Sequence, residues 1–166
     1  IDTTTDHVTA TIATGQVNPQ ALTVGPDGML YVVATGDFDT RMGELERIDP
    51  QAGTIETRFA VGGAPGSLTI DATCNKAYLG GGFGGHLFVV DLATDEVRFD
   101  AQAPLALTDT PGDFIPALHA WEGQIHAVAW ASNALIEVDC ASDTVTERFT
   151  VGDHPADVAI RRSESR

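Results

Sequence analysis

Apolar residues in this chain come in short runs of four to seven, many of them β-branched, bounded by Gly, Pro, Asn and Asp. Such runs predict strands, and the 3.6-residue spacing of an amphipathic helix is absent. The pattern is clearest between residues 116 and 151. Strands are expected at PALHA (116–120), IHAVAW (125–130), ALIEVD (134–139) and VTERFTV (145–151), joined by the turns WEGQ, ASN and CASDT. The same order is read twice upstream. It gives QALTV, MLYVVA, GELERID and IETRFAV between residues 20 and 61, then GSLTI, AYLGG, HLFVVD and VRFDA between 66 and 101.

One phrase marks the period. IDPQAGTIETRFAVG (48–62) returns as VDLATDEVRFD (90–100) and VDCASDTVTERFTVG (138–152), and the chain opens on IDTTTDHVTATIATG. Its aspartates, Asp2, Asp49, Asp91 and Asp139, stand 47, 42 and 48 residues apart. A period of about 40–50 residues built from four short strands is that of a β-propeller blade. The phrase is the hairpin between the third and fourth strands. Its Asp can accept N–H groups of the turn, and Gly53, Asp95 and Asp143 sit where the turn tolerates φ > 0 or a local side-chain bond. The fourth strand alternates Ile55, Thr57 and Phe59 with Glu56 and Arg58, as an outer strand with one wet face does.

The fold expected is therefore all-β, a single propeller domain or propeller fragment over 1–166. Its complete blades lie at about 17–61, 64–101 and 115–151. By phase, an outer strand at 6–13 and an inner strand at 156–160 belong to further blades. Propellers close with roughly four to eight blades, and three blades with two stray strands do not close. A piece of a larger ring, or an arc completed by another chain, is expected.

VGGAPGSLTIDATCNKAYLGG and HLFVVDLATDEV (between 61 and 97) resemble the YVTN-type β-propeller repeat, with its VG..P crossing, its (A)YV strand and its V.VID..T..V hairpin. VGPDGMLYVV (24–33) is similar to the PDG.LYV of lactonase-like propellers. The resemblance implies a fold and leaves the activity open, because such propellers host unrelated functions. For the lactonase-like group it implies an axial metal held by acidic and amide side chains, a set to which no residue here is assigned.

The net charge of −15, with nine Lys plus Arg, excludes nucleic-acid and anionic-bilayer binding as expectations. No apolar run approaches the ~20 residues of a membrane span. Low Lys with abundant Thr, Gly and Asp fits an exported protein, periplasmic or secreted, with a lipid anchor outside these residues as one option. Cys74 falls in the first turn of blade two and Cys140 in the third turn of blade three. One is near the inner strands and the other near the rim, a placement awkward for a bridge.

Candidate chemistry is sparse. His119 and His126 sit on adjacent strands and offer imidazoles to zinc or copper. The same pair also reads as two partly buried histidines with satisfied hydrogen bonds. In TGDFDTRMGE (35–44), Asp37, Asp39 and Glu44 offer oxygens to calcium, without the later ligands of a calcium loop. The same loop carries Phe38, Arg41 and Met42 as candidate partner contacts. The crossing APLALTDTPGDFIPA (103–117) adds Leu105, Leu107, Phe114 and Ile115. GGGFGGH (80–86) has no helix after its glycines and reads as a hairpin tip rather than a phosphate cradle. No nucleophile elbow, HExxH or paired acid and base is found. The leading expectation is a non-catalytic module that binds a protein partner or serves as a subunit of an exported or membrane-associated assembly, with no resident cofactor. The alternative is a lactonase- or lyase-type enzyme whose axial metal site is completed by blades not present here.

Overall fold

A computed structural model describes residues 1–161. Three antiparallel sheets follow one another along the chain. The first holds β1 (Pro19–Val24), β2 (Leu30–Ala34), β3 (Glu44–Asp49) and β4 (Thr54–Ala60) in sequence order. The second holds β5 (Ser67–Asp71), β6 (Lys76–Gly80), β7 (His86–Asp91) and β8 (Glu96–Phe99). A two-residue strand, β9 (Leu105–Ala106), also pairs with β7. The third holds β10 (Ala117–Trp121), β11 (Gln124–Ala129), β12 (Ala134–Asp139) and β13 (Thr144–Thr150). These are three up-and-down blades, and they do not close into a ring.

The repeated phrase does what its residues require. Asp49 Oδ1 accepts from Gln51 N and Ala52 N, Asp91 Oδ1 from Ala93 N and Thr94 N, and Asp139 Oδ2 from Ser142 N. Gly53, Asp95 and Asp143 take φ of 68°, 57° and 53°, the left-handed turn position. The ladder of each hairpin slips by one residue before the Asp, so the outer strand bends away.

Stability resides between the sheets. Tyr31, Val33, Leu45 and Phe59 of blade one pack on Ala77, Leu79, Phe88 and Val90 of blade two. The opposite face of blade two, through Tyr78, Leu87 and Val89, packs on Ile125, Ala127, Ile136 and Val138 of blade three. Full burial of such side chains stabilises by about 1.5–3 kcal/mol each. Alternation lets one strand feed both interfaces: Phe88 faces back and Val89 forward.

Each interface is also clamped by the left-handed aspartate of the following blade. Arg47 donates to Asp95 through Nη1 at 2.7 Å and Nη2 at 3.1 Å. Asp143, buried, receives Tyr78 Oη at 2.7 Å, Lys76 Nζ at 2.8 Å and Arg98 Nε at 3.2 Å.

Three expectations need correcting. Cys74 and Cys140 are joined in a disulfide, with Cα atoms 6.0 Å apart. First and third turns open at the same end of a blade, and the third turn of blade three lies over the first turn of blade two. Lys76 Nζ accordingly donates to the Cys140 carbonyl at 2.7 Å, and Gly123 N to Asp71 Oδ2 at 3.2 Å. Residues 6–13 and 156–160 form no ladder, although an isolated bridge joins Asp2 to His7. Among the described residues no further sheet lies beside either segment to pair with it. Finally, the 103–117 crossing is only in part a surface: Ala103, Ala106 and residues 109–112 are exposed and Phe114 is half-buried, but the rest enters the core. Leu107 and Ile115 are buried and Leu105 packs against them, because β9 pins the crossing along β7.

Both outward faces of the arc keep apolar side chains in contact with solvent, Leu22 and Val24 on blade one and Phe149 and Val151 on blade three.

Candidate functional site

In an up-and-down blade, the loop between strands two and three shares one end of the sheet with the crossing to the next blade. At that end a pocket of about 350 Å³ opens between the three sheets. Phe38 comes from the β2–β3 loop of blade one, Phe83 from the β6–β7 loop of blade two, and Phe114 and Ile115 from the crossing into blade three. Ala64 and Thr35 complete its floor. Thr35 Oγ1 donates to the Pro65 carbonyl at 2.8 Å and Ser67 Oγ to the Ile115 carbonyl at 2.7 Å. These two buried bonds fix the crossings that form the floor.

Two of the phenylalanines are held out in solvent at a conformational cost. Phe38 is 65% exposed and has φ of 64°, a left-handed backbone that side chains adopt only when their surroundings impose it. Asp37 imposes it. Its Oδ1 accepts from the amides of Asp39, Thr40 and Arg41, and its Oδ2 from the Thr40 hydroxyl. Those bonds, led by the Arg41 amide, pull its carboxyl down to about 2. Asp37 is therefore the organiser of a turn whose tip is Phe38, and its oxygens are already engaged. Asp39 stands exposed beside it. Phe83, 72% exposed, tops a single 3-10 turn between left-handed Gly82 and Gly85.

Phe114 is positioned from below by Asp113, which is wholly buried. Asp113 accepts from Phe114 N, Ala131 N, Thr108 Oγ1 and Ser132 Oγ. Burial alone would raise its carboxyl, but the bonds from Ser132, Ala131, Thr108 and Phe114 outweigh it and hold the group below its usual range. Phe114 stacks on Trp130 at 5.2 Å, and Trp130 meets His154 at 4.0 Å. Trp130 follows β11 directly, so each blade sends an aromatic side chain from its loop end: Phe38, Phe83 and Trp130.

The other sequence candidates fall elsewhere. Arg41 and Met42 line a second cleft with Gln16 and Glu44, on the rim side of the same loop. His119 and His126 face each other across β10 and β11, and His126 Nε2 lies 3.2 Å from Glu137 Oε1. Among the described residues one trio of metal-ligand type brings its donor atoms within 4.8 Å, Asp71, Cys74 and Cys140, and its two sulfurs are bonded to each other. His119, His126 and Glu137 do not close to that distance. The sequence reading missed Phe83 and Trp130. Their signal was positional, one aromatic residue in the same loop of each repeat, and is weak until the loops are known to share an end.

The pocket's lining offers one hydroxyl and one amide, from Thr35 and Gln20, and no acid, base or nucleophile. Such a surface recognises apolar groups by burial and stacking.

No protein-family model and no curated protein matches the sequence. Solved structures do resemble the fold. Hydrazine synthase of Kuenenia stuttgartiensis superimposes with a TM-score of 0.71 at 14% identity, over 91% of this chain and 41% of that one. Apo AztD from Citrobacter koseri gives 0.62 at 16% identity, over 84% of this chain and 36% of that one. The WD40 repeats of RRP9 give 0.64 at 11% identity, over 85% and 41%. At such identities the likeness establishes the β-propeller fold. The chain spans less than half the length of each of these structures.

Proposed function

We propose that this chain is a non-catalytic segment of a larger β-propeller that binds a protein partner through its loop end. The observation that carries the reading is the pocket in which Phe38, Phe83 and Phe114 converge from three consecutive structural units. Two of these rings are solvent-exposed at tightly held turn tips, an arrangement that core packing does not call for. Exposed apolar clusters of this kind mark interaction sites. An acidic chain of net charge −15 favours a partner whose apolar anchor is flanked by basic residues.

The larger ring is supported by the two outward faces. Leu135 on blade three holds the position that Leu45 and Leu87 hold on blades one and two, and both of those are buried beneath the next sheet. Residues Pro155 and Val158 already lie along that face with Val128 and Val151. The repeat is read as YVTN-type on its VG..P crossings. An exported location is supported by the disulfide between blades, since such bonds persist in oxidising compartments. No helix among the described residues is long and apolar enough to cross a membrane.

The test is co-purification from the native source with wild type, Phe38→Asp, Phe83→Asp and a Leu22→Asp control on the blade-one face. Loss of a stoichiometric companion in both loop-end variants, with retention in the control, is expected. Retention of every companion by both loop-end variants would refute the reading.

A further inference from the structure

Blade one carries two glutamates in one column of β3, on the face turned away from blade two. Glu46 is wholly buried, and the Glu44 side chain is 12% exposed. The segment before β1 lies over them. Gly15 N donates to Glu46 Oε1 at 2.8 Å, and Gln16 Nε2 donates to Glu44 Oε2 at 3.3 Å. The cover is a close one. A Cβ at Gly15 would fall 2.2 Å from Arg58 Nη2 and 2.8 Å from Glu46 Oε1. Arg58 Nε stands 3.3 Å from Glu44 Oε1 and 3.3 Å from Glu46 Oε1. Gln16, Glu44, Glu46 and Arg58 are thus one cluster.

The hydrogen bonding of this cluster is one-sided. Glu46 Oε2, Glu44 Oε1 and Gln16 Oε1 are all buried, and none accepts a hydrogen bond. Arg58 Nε is near Glu44 Oε1 but is not aligned to donate to it. Two carboxylates therefore share one guanidinium, which is itself half exposed. A buried carboxylate oxygen without a donor is costly, and a buried negative charge without a counter-charge is costlier. The deficit is in positive charge and in electrophilic partners for oxygen. A cation supplies both.

The geometry points to a calcium-type divalent cation bound by Gln16, Glu44 and Glu46. Its donors would be two carboxylates and an amide carbonyl, the oxygen set of hard cations. Calcium accepts irregular coordination completed by water, whereas magnesium demands a near-ideal octahedron that a guanidinium at the edge of the cluster obstructs. Zinc, with its preference for nitrogen and sulfur, finds neither here. An entry path is present. Gln16 and Glu44 line a cleft of about 360 Å³ to which Asp100 adds a further carboxylate. The site is distinct from the Asp37–Asp39 turn, where Asp37 has given its oxygens to the backbone. It is also independent of the aromatic pocket and of whatever binds there.

The experiment is calorimetric titration of the chelator-stripped chain with CaCl2, with its melting temperature followed in parallel. Wild type is expected to bind one calcium per chain, with a rise in melting temperature. Affinity should fall at least tenfold in Glu44→Gln and be lost in Glu46→Gln, while Asp39→Asn should bind as wild type does. If Glu46→Gln fails to fold, Glu44→Gln decides, since that side chain borders the cleft and its loss spares the core. Absence of binding up to about 10 mM calcium, beyond the weakest range of extracellular calcium modules, overturns the proposal. So does unchanged affinity in Glu44→Gln. Loss of binding in Asp39→Asn alone would move the cation to the Asp37 turn and equally overturn it.

Discussion

Tyr78 of blade two donates its hydroxyl to Asp143 of blade three at 2.7 Å, across the sheet interface and 65 residues along the chain. Lys76 meets the other carboxylate oxygen at 2.8 Å, and both its ammonium and the carboxylate are buried. Asp143→Ala leaves that ammonium without a counter-charge and should cost about 3–5 kcal/mol. Tyr78→Phe keeps the ion pair and should cost about 1 kcal/mol. Urea unfolding midpoints check the ordering. Equal losses would mean that the tyrosine, not the charge pair, holds the interface.

The chain's two tyrosines are both reporters of that packing. Burial first, then the bond donated to Asp27, pushes Tyr31 up to about 12. Tyr78 is raised by burial and then by Asp143. A phenol harder to ionise in the folded state stabilises the fold below the ordinary value of 10.0 and loses that contribution as pH climbs towards 12. Tyrosinate absorbance should stay flat at pH 10, where free tyrosine is half ionised. Its appearance should coincide with loss of the near-ultraviolet circular dichroism signal.

At the acid end the group to watch is Asp113. Its carboxyl is lowered in the fold, so its contribution is present above 3.8 and fades as pH falls through the lower folded value. Asp113→Ala withdraws the acceptor from two backbone amides and two hydroxyls, a loss of about 3 kcal/mol. The variant should also lose the acid-side dependence, visible as a flatter stability profile between pH 5 and 3. A profile that matches wild type would show that other carboxylates govern acid unfolding.

Reduction is the third lever. The disulfide closes a segment of 66 residues, and constraint of the unfolded chain by such a loop contributes about 4 kcal/mol. For a chain of this size the melting temperature should drop by roughly 10 °C in dithiothreitol. Cys74→Ala with Cys140→Ala should reproduce that drop and make the protein insensitive to the reductant.

The blades were legible in the sequence because their information is local. HLFVVD and ALIEVD match β7 and β12 to the residue, since a period-2 run closed by Asp leaves little choice of boundary. That Gly53, Asp95 and Asp143 occupy a turn position open to φ > 0 or to a local side-chain bond was legible for the same reason, and all three take φ > 0. What Asp95 and Asp143 do next was not. Arg47 and Asp95 are 48 residues apart and belong to neighbouring repeats, so their meeting depends on how two sheets stagger, which no single hairpin specifies. The same stagger brought Cys74 to Cys140, two turns that look remote when each blade is drawn alone. Leu105 and Leu107 were named as partner contacts on composition; the structure half-buries Leu105 and buries Leu107. An apolar crossing signals burial or contact equally well, and the two-residue pairing with β7 decided for burial. Phe38, Phe114 and Ile115 were named as candidate partner contacts for separate reasons, a loop that breaks the repeat and an apolar crossing, and all three lie at one pocket. Only the shared end of the sheets makes them one surface with Phe83.

The two seams of the arc are unequal in strength. Between blades two and three run a covalent bond and a buried ion pair; between blades one and two the charged contact is the partly exposed Arg47–Asp95 pair. Under tension the chain should therefore give way at the first seam. Blade one would peel from its neighbour while blades two and three travel together as one stiff block, tethered until a reductant cuts the sulfur bridge.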